Sequence, residues 1–132
     1  MRVFADTSYF LALIDPADEA HELALQVSRI RHSEVVLTDF IIVELGAALS
    51  KPHERGDFIA LVHLLSRPPY RVVVASPDWV KRGLALFESR PDKAWSLTDC
   101  ISFLVMGEEG ISEALTTDHH FQQAGFRALI VP

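Results

Sequence analysis

The feature that most constrains this chain is a regular alternation of short, β-branched runs with longer segments of helical character. Residues 2–6 (RVFAD), 34–38 (EVVLT), 70–75 (YRVVVA), 113–117 (EALTT) and 126–131 (FRALIV) read as five strands. Between the first two, Asp15-Pro16 has the pattern of a helix start, with Asp15 as cap and Pro16 at the first helical position. Ala20, Leu23, Ala24 and Val27 then follow at helical spacing. Residues 39–50 form an almost wholly apolar helix, and another runs over 56–66 and stops before Pro68-Pro69. Ser76-Pro77-Asp78 starts a helix ending near Arg90-Pro91, Ser96 opens the next through about Met106, and a short one follows Asp118. Strands alternating with helices predict parallel βαβ units, and so a three-layer α/β/α fold around a central parallel five-stranded sheet. Ligands of such sheets sit beyond the carboxyl ends of the strands, which says where to look for chemistry.

A chain of 132 residues fits one domain, 1–132, and buries roughly two thirds of its unfolded surface, enough for a core without staples. The single cysteine, Cys100, has no internal disulfide partner and lies in an apolar run, so a buried inert thiol and a reducing compartment are expected. The opening MRVFADTSYFLALID carries one Arg and is interrupted by Asp6 before any long apolar stretch, unlike an exported leader. The apolar runs fall short of a membrane span, and a soluble cytoplasmic protein is expected. The net charge of −6, taken alone, argues against a nucleic-acid partner. That objection weakens if several of the acids hold metal, because two divalent cations would bring −6 to −2.

Four acids stand out. Asp6 ends the first strand and Asp118 the fourth, so both belong to the carboxyl edge. Glu44 lies within FIIVELGAAL, where a lone carboxylate is costly to bury. Asp99 lies in the first turn of the helix opened by Ser96-Leu97-Thr98-Asp99, ahead of another apolar stretch. Each has a structural reading. Asp6 and Asp118 can cap the helices that follow them, Ser96 and Asp99 can form a capping box, and Glu44 can reach the surface or pair with an Arg. Converging carboxylates, however, repel unless protonated or bridged by a cation. Around these positions no His or Cys has zinc-like spacing, which points to a hard, oxygen-liganded ion, Mg²⁺ or Mn²⁺. Such ions suit phosphoryl chemistry.

These residues resemble those of the PIN-domain ribonucleases, especially the VapC-like toxins of toxin–antitoxin pairs. Val3-Phe4-Ala5-Asp6-Thr7-Ser8 is similar to the family's first-strand Asp with its hydroxyl neighbours. Val43-Glu44-Leu45, Ser96-Leu97-Thr98-Asp99-Cys100 and Leu115-Thr116-Thr117-Asp118-His119-His120-Phe121 resemble its later acidic segments, in order along nearly the whole chain. The resemblance implies a PIN-like fold, a Mg²⁺ or Mn²⁺ site, and cleavage of single-stranded RNA. It makes Asp6 and Asp99 the firmest ligands, with Glu44 and Asp118 completing the site or positioning water. It also implies a homodimer and a cognate antitoxin. Relatives that act in RNA processing without an antitoxin are the alternative, and 51–69 match nothing specific.

Thr7, Ser8 and Thr117 are candidates to bond a ligand carboxylate or a phosphate, although helix starts use the same residue types. Ser96 reads as a cap that sets Asp99, and Asp92 as either a fifth cleft acid or a solvated loop acid. His119 and His120 read as exposed loop residues, one of them within possible reach of a scissile phosphate. Lys51 with Arg55, Lys81 with Arg82, and Arg90 with Lys93 read as solvated basic groups that would follow an RNA backbone only if near the cleft. Trp79 and Trp95 fit core packing better than base stacking. A phosphorylated signalling receiver is disfavoured, because the third strand leads into Ala75-Ser76-Pro77 with no acceptor Asp and no Lys follows the fifth. A phosphatase is disfavoured because Asp6-Thr7-Ser8 offers one acid only. A non-catalytic binding module would not need all four acids.

Overall fold

The structure, a computed structural model, describes residues 1–74 and 76–131. Five strands form one parallel sheet in the order β3-β2-β1-β4-β5. They are β1 (Arg2–Ala5), β2 (Glu34–Thr38), β3 (Tyr70–Val73), β4 (Glu113–Leu115) and β5 (Arg127–Ala128). The helices are α1 (Thr7–Ile14), α2 (His21–Ser28), α3 (Asp39–Ala48), α4 (Arg55–Leu65), α5 (Pro77–Ser89), α6 (Leu97–Glu109) and α7 (His119–Gln123). Two contact groups emerge, α1 against α2 and α3 with α3 on α4, and α5 against α6 with α6 on α7. Right-handed crossovers explain them. The chain steps β1-β2-β3 in one direction, then crosses back to β4 and β5, so the first group covers one face and the second the other. The expected three-layer fold is therefore present.

Val3, Phe4, Val36, Leu37, Ala114 and Leu115 are buried to the level of a core sheet, as strands covered on both faces must be. Between β4, α6 and α7 an aromatic group closes one layer. Phe103 meets Trp95 at 5.0 Å and Phe121 at 4.9 Å between ring centroids, both edge to face. Trp95 is thus a core residue, its indole N–H donating to Gln123 at 3.0 Å, and Cys100 is a buried free thiol, as expected. Trp79 packs on the core under the Arg82 guanidinium.

Several expected boundaries need correction. The segment 7–14 is a helix, α1, that the strand-like opening hid. Asp15 is its C-cap, and no helix starts at Pro16. The Asp15 carboxylate instead accepts the Ala17 N–H and the Asp18 carboxylate the Ala20 N–H, both at 2.9 Å, so 15–20 is a run of side-chain-stabilised turns before α2. β3 ends at Val73, Val74 lies outside it, and Ala75 lies outside the described residues. β4 stops at Leu115, so Asp118 sits three residues past it, on the turn into α7. β5 is only Arg127–Ala128 within the expected 126–131. The helix α3 is not buried all round, because Val43 is 68% exposed.

Candidate active site

The strand order reverses between β1 and β4, and at such a switch point the helices diverge and leave a crevice at the carboxyl ends. A cavity of about 550 Å³ opens there, lined by residues that include Asp6, Glu44, Asp99 and Asp118. All four sequence-selected acids therefore reach one cleft. Among the described residues none of the four pairs with Arg or Lys; the basic side chains beside them are the imidazoles of His119 and His120.

Asp6 leaves β1 with its N–H on the Leu115 carbonyl of β4 at 3.0 Å, which ties its backbone to both central strands. It occupies the N-cap position of α1 but makes no side-chain cap bond. Its Oδ2 instead accepts two hydroxyls, from Ser8 at 2.9 Å and Thr116 at 2.9 Å. Ser8 Oγ accepts the Thr117 N–H at 3.0 Å and Thr116 Oγ1 accepts the Asp118 N–H at 3.0 Å, the two hydroxyls lie 3.1 Å apart, and each has one proton that can go to the ionised Asp6 carboxylate. Oδ1 of Asp6 makes no side-chain hydrogen bond among the described residues. Burial pushes the Asp6 carboxyl up to about 6, against the pull of the Thr116 and Ser8 donors, and the Asp99 charge adds to the rise.

Asp99 is held by the capping box read from the sequence. Ser96 Oγ accepts the Asp99 N–H and Asp99 Oδ2 accepts the Ser96 N–H, both at 3.0 Å. The same Oδ2 lies 3.2 Å from His120 Nδ1. Burial raises the Asp99 carboxyl above its ordinary range, the Ser96 N–H opposes this, and the Asp118 charge raises it further. Asp118 caps α7 through the His120 N–H at 2.9 Å and lies 3.2 Å from His120 Nδ1. Glu44 is half-buried on α3 and accepts the Thr7 hydroxyl at 2.5 Å. The structural and functional readings of Asp99 and Asp118 thus hold together: the bonds that cap the helices also aim the carboxylates.

The remaining candidates separate. Thr7, Ser8 and Ser96 line the cleft. Thr117 lines a different hollow, beside Asp18–Ala20, and serves the cleft only through its N–H on Ser8. Asp92 does not line the cleft; it is exposed and bound by Arg90 at 3.1 Å and Lys93 at 3.7 Å. Those two cations are therefore engaged, as is Arg82 with Glu108 at 2.9 Å.

Two residues carry more than the sequence reading gave them. Thr116 is fully buried between Asp6 and Asp118. A hydroxyl inside an apolar strand end, two residues before an acid, was the available signal. His120 is half-buried in the cleft wall, not an exposed loop residue, and its neighbour His119 is the exposed one. Together with Asp118 these histidines place ligand-type atoms within 4.8 Å of one another. The donor set fits a divalent cation: buried or half-buried carboxylates without guanidinium partners, with raised proton affinity at Asp6 and Asp99.

Comparisons with known proteins agree with this architecture. The sequence profile described as PIN domain matches residues 3–127. The curated 23S rRNA-specific endonuclease VapC20 of Mycobacterium tuberculosis is 24% identical over 124 residues, covering 94% of this chain and 95% of that protein. The crystal structure of Mycobacterium tuberculosis VapC20, described as a Sarcin-Ricin loop cleaving toxin, superposes with a TM-score of 0.87 at 23% identity, over 94% of this chain and 95% of that one. FitAcB from Neisseria gonorrhoeae shares the fold at a TM-score of 0.68 and 14% identity, over 98% and 96% of the two chains. A toxin–antitoxin complex from Klebsiella pneumoniae does so at 0.59 and 19%, over 89% and 87%.

Proposed function

Because this chain belongs to the PIN-domain family, we propose that its carboxylate cleft hydrolyses phosphodiester bonds in single-stranded RNA with Mg²⁺ or Mn²⁺, as the toxin of a toxin–antitoxin pair. The observation that carries the reading is the meeting of Asp6, Glu44, Asp99 and Asp118 in one cleft with no Arg or Lys to neutralise them. Support for RNA as substrate comes from the relative named as a 23S rRNA-specific endonuclease. Support for an antitoxin comes from a structural neighbour described as a toxin–antitoxin complex. A homodimer is part of the same proposal.

In this reading Asp6 and Asp99 are the principal ligands, with Glu44 and Asp118 completing the site. The bound cation would lower the pKa of water and neutralise the phosphate. The chain's own residues prepare the place for it. Ser8 and Thr116 fix one oxygen of Asp6, Ser96 fixes the rotamer of Asp99, and Thr7 holds Glu44 across from them. His120 donates to Asp99 in the tautomer that carries its proton on Nδ1. These fixed donors remove the reorganisation that a mobile carboxylate would require on binding.

Purified protein is expected to cleave RNA with Mg²⁺ or Mn²⁺ and to stop in EDTA. Asp99→Asn is expected to abolish cleavage with an unchanged circular dichroism spectrum. Full cleavage by that variant, or cleavage undiminished in EDTA, overturns the assignment.

A further inference from the structure

A second charged concavity lies beside the amino ends of β2 and β3 and reaches Tyr9 of α1 and Leu115 of β4. A cavity of about 520 Å³ is enclosed by α1, the 29–32 turn before β2, the end of α4 and Pro68–Tyr70. Arg29 and Arg31 line it, are exposed, and make no ion pair among the described residues. This sets them apart from Arg2 and Arg71, whose guanidiniums are bound by Glu34 and Glu109.

The wall behind them supplies a second, independent observation. Tyr9 is only 2% exposed, yet its hydroxyl makes no hydrogen bond among the described residues. The fully enclosed side-chain atoms without partners are Thr38 Oγ1 and Ser102 Oγ, so the Tyr9 hydroxyl, which is not one of them, is open to the cavity it lines. Burial raises its pKa, with the neighbouring Tyr70 adding to the rise, so it stays a proton donor at neutral pH. His32 completes the polar lining. Its nearest influential carboxylate, Glu113, is itself engaged by Arg127 at 3.1 Å. The cavity thus collects hydrogen-bond donors and cations with no free carboxylate among its lining residues. Such a set suits an oxyanion with several acceptor oxygens, and guanidinium forks match phosphate geometry. The volume falls within the range of about 300–1,000 Å³ typical of small-ligand sites, more than one phosphate needs.

We propose that this pocket is a phosphate-binding site, taking the phosphate of an RNA strand or of a free mononucleotide between Arg29, Arg31 and the Tyr9 hydroxyl. Only the choice of RNA as the source rests on the nuclease reading; the pocket does not. It shares no lining residue with the carboxylate cleft, although Tyr9 and Leu115 of its wall are joined to Asp6 by backbone hydrogen bonds.

The test is calorimetric titration of the full chain in EDTA at low salt with three probes: inorganic phosphate, AMP and a single-stranded oligoribonucleotide. At least one probe is expected to bind saturably. Arg29→Ala/Arg31→Ala is expected to weaken that binding about 100-fold and Tyr9→Phe about fivefold. The arginines are exposed and Tyr9→Phe removes one oxygen, so circular dichroism should be unchanged in both. Binding of the oligonucleotide alone identifies a strand as the source. Equal or tighter binding of AMP identifies a mononucleotide. If no probe binds, or the double arginine variant binds as tightly as the parent, the proposal is overturned. The nuclease reading is tested by metal-dependent cleavage and the pocket by these metal-free titrations, so the two failures are read separately.

Discussion

Asp6→Asn tests the electrostatics of the cleft without any assumption about substrate. Asp6 is 6% exposed, and burial lifts its carboxyl from the ordinary 3.8 to about 6. The folded protein therefore holds the Asp6 proton more tightly than the unfolded chain does. The stability this contributes is fully present below about pH 4 and is lost as pH rises through about 6. A gap of about 2 pH units corresponds to about 3 kcal/mol. Asparagine keeps the shape and an acceptor for the Ser8 and Thr116 hydroxyls but has no charge to bury. In EDTA at pH 7.5 the variant should be more stable than the parent by up to about 3 kcal/mol, and near pH 4 the two should converge. With a urea slope of about 1–3 kcal/mol/M, the midpoints should separate by up to roughly 1–3 M at the higher pH. Adding Mn²⁺ should close or reverse the gap, because an ion that binds only the parent adds about 2.7 kcal/mol at 100 times its Kd. If Asp6→Asn is less stable than the parent in EDTA at pH 7.5, or the difference does not change with pH, the carboxylate is not strained by burial and the argument for a cation-dependent cleft fails.

Two further outcomes follow from the packing. Thr116→Val removes a donor to Asp6 and the acceptor of the Asp118 N–H; Mn²⁺ affinity by calorimetry should fall roughly 10–100-fold, and Thr116→Ser should restore most of it, whereas equal affinity in the valine variant would show that the hydroxyl only fills space. Gly83 lies where α5 meets α6, and a Cβ there would stand 2.5 Å from Ile101 Cγ1, a branch atom with nowhere to swing; Gly83→Ala should gain about 1 kcal/mol of helix propensity but lose about 1–3 to overpacking, for a lower Tm, and a raised Tm would mean the two helices separate freely.

The alternation of strands and helices was legible because parallel strands covered on both faces read as apolar runs, and β1, β2 and β4 are such strands. The helix α1 was not, and for a physical reason. It packs against α2 and α3, and TSYFLALI is apolar at nearly every position, so it reads as a continuation of the strand-like opening. The same blindness produced the error at Asp15-Pro16. That dipeptide has the composition of a helix start, but an Asp side chain serves an Asx turn as readily as a cap, and only the three-dimensional course of 15–20 separates the two. The short extent of β5 was equally hidden, since the residues beyond Ala128 stay apolar after the ladder ends.

The site divides along another line. Asp6, Glu44, Asp99 and Asp118 were readable because a carboxylate in an apolar context is costly and asks for an explanation. Thr116 was not, because a hydroxyl at a strand end is cheap and common; its importance lies in its partners, Asp6 110 positions away in sequence and the Asp118 N–H. His120 was missed for the same reason, its ring meeting Asp99 across 21 positions. Both omissions have one cause. Acids declare themselves by what burial costs them, whereas the neutral groups that aim them declare themselves only by distance. A Thr116→Val change that weakens metal binding while every carboxylate stays in place would show that the aiming, and not the acidic count alone, makes the cleft a binding site.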